Sequence, residues 1–352
     1  MRRCGRGSCK QDEGGFRVKL HSTQSAAAGG QQVKKTGTKG AARQKILAFA
    51  SLIILILVFS LLSGNFFRFD NLVGIMLSTA VIGVLALGST FVIITGGIDL
   101  SVGTVMTFSS VMAGVFITYW NGPIYLGVIG GILAGSLCGL VSGLMIAKMK
   151  IPPFIATLAV MMITKGLSLI ISGTKPIYFT DKPLFNQLTM GSIRGLEIPN
   201  AVWIFLIASV IASFILTKTI IGRYNFALGS NEEAARLSGV NTVLWKVVIY
   251  VITGTFSGIA GIMMASRLNS AQPALGSGYE LEAIAAVVIG GTSLSGGMGS
   301  ILGTVIGALI MSVLTNGLRI LSVAQEWQTV IVGLVIILAV YMDILRRRKN
   351  KS

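Results

Sequence analysis

The sequence predicts an all-α, polytopic membrane helix bundle of about ten transmembrane segments, and three observations predict it. Apolar residues fill 53% of the 352 positions against 12% charged, with a mean hydropathy of +0.80, a balance that belongs to multi-span membrane chains. The apolar residues gather in runs of about 17–25, the length that crosses a ~30 Å hydrocarbon core as a helix. Many of the 44 glycines fall inside those runs, where small residues let helix backbones approach closely in lipid.

Taken in order, the expected spans lie near residues 46–62, 72–95, 99–119, 124–147, 153–172, 201–217, 245–267, 281–294, 299–318 and 327–343. The first follows a stretch too long and polar for a cleaved leader and is followed by Ser63-Gly64-Asn65 without a small-x-small site, so it stays as an uncleaved span. The fourth carries Gly127, Gly130, Gly131, Gly135, Gly139 and Gly143, spacing that lets helix backbones approach closely and predicts a compact bundle rather than separate spans. The eighth is short and ends in glycine. Domain organisation follows: a disordered basic tail over 1–45, a transmembrane domain over 46–345, and a basic tail over 346–352.

The formal charge of +17 is concentrated at the ends. Eleven basic residues lie in 1–45 and five in 346–352, which reads as tails held at an anionic leaflet rather than a nucleic-acid face. An even number of spans puts both termini on one side, and the positive-inside rule makes that side cytoplasmic. Lys148, Lys150, Lys218, Arg223, Arg236 and Lys246 fall on the same side. The outer segment 173–200 sets Lys175, Lys182 and Arg194 against Asp181 and Glu197. Cys4, Cys9 and Cys138 form no disulfide framework, and Cys4 and Cys9 with His21 lack zinc spacing, so no metal or other cofactor is expected. No Gly-Lys dipeptide occurs, which excludes a P-loop. With no His/Cys/Asp cluster for bond-making chemistry, no catalytic residues are assigned, and the energy source is expected on another chain.

Three constellations carry function. Thr95-Gly96-Gly97-Ile98-Asp99-Leu100-Ser101-Val102-Gly103 sets a carboxylate between glycine pairs inside apolar sequence, and Gly290-Gly291-Thr292-Ser293-Leu294-Ser295-Gly296-Gly297 repeats it, a weak internal repeat matching at five of eight positions. Discontinuous helices of this kind line transport sites. Two roles stand open for Asp99: lining a path, or capping the third span, as Ser293 in the matching position would also do. The second constellation is Asn231-Glu232-Glu233-Ala234-Ala235-Arg236-Leu237-Ser238-Gly239. Here Asn231 is an N-cap, Glu232 pairs with Arg236 and Gly239 stops the helix. A short helix on the cytoplasmic face follows, shaped to dock a soluble motor. The third is a set of polar side chains suited to a neutral solute, Ser78, Thr79, Thr157, Thr164 and Asn316, with Lys165 the deepest basic group. Towards the outer ends lie Arg267, Glu280 and Glu282; a pair of Arg267 with either glutamate would brace the outer mouth, while interface anchoring by single charges is the commoner role of such residues.

These blocks, with Ser270-Ala271-Gln272-Pro273 and Gly278-Tyr279-Glu280-Leu281-Glu282-Ala283-Ile284-Ala285-Ala286-Val287-Val288-Ile289-Gly290-Gly291, resemble the permease subunits of bacterial ABC importers for monosaccharides, the ribose, xylose, arabinose and galactose permease family, over about residues 65–345. The resemblance implies a multi-pass plasma-membrane protein that dimerises, as a homodimer or with a paralogue. It also implies a cytoplasmic ATPase docked on the segment from Glu232 to Gly239 and an extracytoplasmic sugar-binding protein that delivers ribose or a related pentose. Glu233, Ala234, Ala235 and Gly239 also partly resemble the wider importer signature Glu-Ala-Ala-x-x-x-Gly, whose Ile-x-Leu-Pro end is represented only by Ile249-Tyr250-Val251-Ile252. The alternative class is an ion-coupled secondary transporter or channel for a small polar solute, for which Asp99 and Lys165 would be the only deep ionisable groups.

Overall fold

The computed structural model describes residues 37–193 and 197–351, and the expected tail up to residue 36 lies outside them, as do Cys4, Cys9, His21 and Arg194. Thirteen helices and one two-stranded ribbon are found among the described residues. In chain order the elements are α1 (Gly37–Leu62), α2 (Phe69–Ile94), α3 (Val102–Gly114, continued by a π-helical turn Val115–Tyr119), α4 (Ile124–Ala147), α5 (Pro153–Ser172), β1 (Ile177–Tyr178), α6 (Pro183–Met190) and α7 (Asn200–Lys218). There follow α8 (Ile220–Ser230), α9 (Glu232–Leu237), α10 (Thr242–Leu268), β2 (Ser270–Ala271), α11 (Tyr279–Ile289), α12 (Ile301–Ile320) and α13 (Gln325–Lys351).

Among the described residues, eight helices are long and apolar enough to cross a membrane: α2, α3 with its π turn, α4, α5, α7, α10, α12 and α13. The expected first span, 46–62, lies within α1, which starts nine residues earlier at Gly37, whereas the expected eighth span is corrected. The expected span 281–294 is the 11-residue α11, which rises about 16 Å and covers only half of a ~30 Å core. Gly290 and Gly291 end it because the chain turns at Gly291, where φ is +95°.

α2 is the axis. It is apolar around its whole circumference and buried continuously from Thr79 to Ile94, the pattern of a helix enclosed by protein rather than lipid. α7, α10, α11 and α12 pack around it. The outer helices do the opposite: Leu133, Leu137, Ile163, Ile170, Val210, Phe214, Leu334 and Ile337 are exposed, which costs nothing against acyl chains. The expected close approach holds between α4 and α10. A Cβ at Gly135 would come within 2.9 Å of the Gly258 Cα, and one at Gly139 would meet the Tyr250 carbonyl, so only glycine permits this approach. The expected outer segment has structure that the sequence reading did not foresee. β1 pairs antiparallel with β2 through Ile177 and Ala271, and α6 is tied to the end of α10 by the Ser266 hydroxyl, 2.6 Å from the Phe185 carbonyl.

Candidate functional site

The two glycine breaks meet in space. The Gly297 amide donates to the Ile94 carbonyl at 2.8 Å, which joins the end of α2 to the loop after α11. A Cβ built on Gly96 would lie 3.6 Å from the Ser295 carbonyl, and one on Gly296 would lie 2.9 Å from the Gly96 amide. A third strand of backbone enters the same point. A Cβ on Gly229, in the last turn of α8, would strike the Ile94 carbonyl and stand 2.6 Å from the Gly297 amide. Gly229 was missed by sequence reasoning. Nothing in its neighbours Ala227-Leu228 assigns it a role, and only the contact with the end of α2 and the loop after α11 singles it out.

From this node the first break runs along α11. Gly96 sits beyond the C-terminal end of α11, whereas a Cβ on Gly103 would meet the Gly276 carbonyl and the Glu280 carboxylate at its N-terminal end. Residues 95–101 are thus non-helical backbone that leaves an exposed Gly96 and runs into protein, with Gly97, Asp99 and Ser101 buried, the circumstance in which such backbone is tolerated at membrane depth. Asp99 is 5% exposed. Its Oδ1 accepts from the Ser101 amide at 2.9 Å and the Ser101 hydroxyl at 2.6 Å, closing the turn that leads into α3. Of the two roles, its bonds are nearer to capping, but from two residues before the N-cap position, which Ser101 holds. The parallel expectation for Ser293 is corrected: its hydroxyl has no partner, and α12 is capped by Ser300, whose Oγ accepts the Gly303 amide at 3.2 Å. Seven residues separate the two serines, because the second loop is closed by backbone, with Ser293 N donating to Met298 O at 3.0 Å.

Beyond the node the chain forms α9 as expected. The Asn231 side chain accepts the Ala234 amide at 3.0 Å, and Gly239 takes φ +85° at the stop, a conformation that costs glycine nothing. The ion pairing differs from expectation. Arg236 reaches Glu233 at 3.3 Å, while Glu232 pairs with Lys246 of α10 at 2.7 Å, because one helical turn puts residue 236 over 233 and leaves 232 facing α10. Leu237, at 80% exposed, projects freely. A groove of about 430 Å3 lies beside it, between Arg223, Tyr224, Ser230, Asn231 and Ser238.

The candidate path residues divide. Thr79 is buried against its own helix, with Oγ1 2.8 Å from the Ile75 carbonyl. Thr157 is fully buried and accepts the Leu100 amide at 3.2 Å, tethering the first break to α5. Thr164 donates to Thr104 at 2.8 Å. Ser78 is half-buried, and Asn316 faces α2 near Gly74. Only Lys165 is exposed, three positions from the centre of α5. It borders a cleft with Thr104, Thr107, Pro273, Ala274, Gly276 and Ser277, where α3 and α11 both begin. The loop after β2 was not foreseen as part of any site. Among the described residues, neither Glu280 nor Glu282 forms the bracing ion pair with Arg267, because both Glu280 oxygens accept the Gly278 amide at 3.1 Å.

A family model described as a branched-chain amino acid transport system permease component matches residues 71–340, from the third residue of α2 to within α13. The chain belongs to this permease family. It is 42% identical to the ribose import permease protein of Haemophilus influenzae over 84% of its own length and 92% of that protein. It is 43% identical to the ribose import permease protein of Bacillus subtilis over 85% and 92%, and 36% identical to the fructose import permease protein of Rhizobium meliloti over 84% and 85%. No solved structure matches it. The matched region contains both breaks and α9, and it makes the chain a multi-pass inner-membrane transport component.

Proposed function

We propose that this chain is the permease subunit of an ABC importer for a monosaccharide, ribose or a related pentose, driven by a separate cytoplasmic ATPase and supplied by an extracytoplasmic sugar-binding protein. The observation that carries the reading is α9. An exposed leucine on a short helix pinned by its own cap and by Lys246 serves no membrane contact if α9 faces the cytoplasm, as the basic segments around it require. It suits the docking of a soluble partner, with Glu233 and Arg236 beside it. Ribose import permeases and a fructose import permease among the relatives support a sugar substrate. The chain itself supplies a path and a lever, with no bond-making step of its own.

The path is read at Lys165. A charged side chain at mid-span costs about 2.5–3.5 kcal/mol if left facing lipid, so the exposed face of α5 is best placed against water and a second copy of the permease. Thr104, Thr107 and Ser277 add hydroxyls and the 273–277 loop adds backbone groups, the donors and acceptors that a neutral sugar requires. Asp99, Thr157 and Thr164 act one layer behind, holding the starts of the half-helices in place. Both termini and both basic tails lie in the cytoplasm.

Uptake of labelled ribose into proteoliposomes tests this. Accumulation should require ATP, the ATPase and the binding protein together, and Leu237→Arg should abolish ATPase co-purification while the permease stays inserted. Accumulation by this chain alone under a proton gradient would refute the reading.

A further inference from the structure

Three glycines from two separate segments, Gly229, Gly296 and Gly297, crowd one carbonyl, that of Ile94. Such a junction could be plain close packing. Its position argues for more, because Gly229 lies two residues before Asn231, the cap of α9, and the Asn231 amide still donates to Ala227 at 3.0 Å. The last turn of α8 therefore continues without slack into the start of α9. On its far side, the Ile94 carbonyl ends the axial helix α2, and Gly297 leads to α12. One contact addresses the ends of α2 and α11 and the approach to α12 together.

We propose that Gly229 is the positioning residue through which a displacement of α9 reaches both glycine breaks. This rests on the reading of α9 as the ATPase contact and deepens it. Backbone packed on backbone leaves no rotamer to yield, so a shift of α8 must move the Ile94 carbonyl and the Gly297 amide with it, as close-packed interiors transmit strain. A long side chain at the same point would bend and dissipate the motion. The breaks then act as the two ends of one linkage: the end of α2 moves with the node, and residues 95–101 carry the motion to the start of α3 beside Lys165. The pairing of Glu232 with Lys246 makes α10 the support against which α9 tilts.

The test uses the complete transporter, with its ATPase and binding protein, in proteoliposomes. Gly229→Ala places a methyl against the Ile94 carbonyl although alanine is the better helix former, so any loss comes from the contact and not from helix propensity. ATPase co-purification should be retained, while the ATP hydrolysed per ribose imported rises roughly tenfold. Gly333→Ala on α13, where a Cβ meets nothing within 4 Å, should leave the ratio unchanged. A wild-type ratio in Gly229→Ala overturns the proposal, and so does loss of the ATPase from that variant, because the joint lies behind the docking surface.

A second measurement leaves Gly229 in place. Spin labels on Ile220→Cys and Met298→Cys, with Cys4, Cys9 and Cys138 replaced by serine and labelled copies diluted in unlabelled ones, report the α8-to-loop distance. It should stay within about 2 Å between nucleotide-free and ATP-bound states, and a change of about one helical turn (~5 Å) would show that the node slips and would sink the idea. If Leu237→Arg fails to release the ATPase, the docking reading falls; if it releases the ATPase but Gly229→Ala remains coupled, only the linkage falls.

Discussion

The two glycine breaks share a sequence pattern and solve the same problem by different means. At the first, a full-length helix ends, Gly96 turns at φ +80°, and side chains then hold the chain: Asp99 binds the Ser101 amide and hydroxyl, and Thr157 binds the Leu100 amide. At the second, a half-length helix ends and the loop is made by backbone, with Gly291, Gly296 and Gly297 all at positive φ and the aligned Ser293 hydroxyl without a partner. A duplicated motif thus became a stapled break and a hinged one. A stapled break holds the start of α3 at a set depth beside Lys165, whereas a glycine-hinged loop can follow the node.

Five substitutions at four positions can break or sharpen this contrast, each read as the change in unfolding free energy of the purified permease in detergent. Asp99→Ala should cost the most, about 3 kcal/mol, because it strands a buried amide and hydroxyl that now share a charged acceptor; Asp99→Asn, which keeps an acceptor, should lose less. Gly291→Ala should cost about 1–2 kcal/mol, the penalty of forcing a side chain into the left-handed region. Thr157→Val conserves volume and removes one tether of the first break, for a loss of about 1 kcal/mol. Ser293→Ala should change stability by less than about 0.5 kcal/mol, since it deletes a hydroxyl that bonds to nothing. Equal losses in Asp99→Ala and Ser293→Ala would erase the distinction between the two breaks.

Much of the site was legible before any coordinates. Asn231 and Gly239 delimit α9 because caps and stops are local chemistry, decided within one turn. The glycine spacing of α4 foretold a close partner, although not that α10 would be the one. The ion pairs of α9 were misassigned, because Glu232 had a choice between a neighbour on its own helix and a lysine 14 residues away, and only packing of α9 on α10 settles that choice. The hydroxyls of Thr157 and Thr164 looked like path groups because composition cannot say which face of α5 turns inward. Lys165 stands one residue from Thr164, about 100° further around the helix, and is exposed where Thr164 is buried.

By itself the sequence determined the class of molecule: apolar runs of membrane length, glycine breaks, basic ends and a short capped helix are all properties of neighbouring residues. Tertiary structure alone decided that α11 stops at half depth, that the two breaks touch at Ile94, and that Gly229 enters between them. Those are contacts across some 65 to 200 residues of chain. Glycine leaves no side-chain pattern from which such contacts could be read, since what it contributes is the absence of atoms where two backbones need to meet.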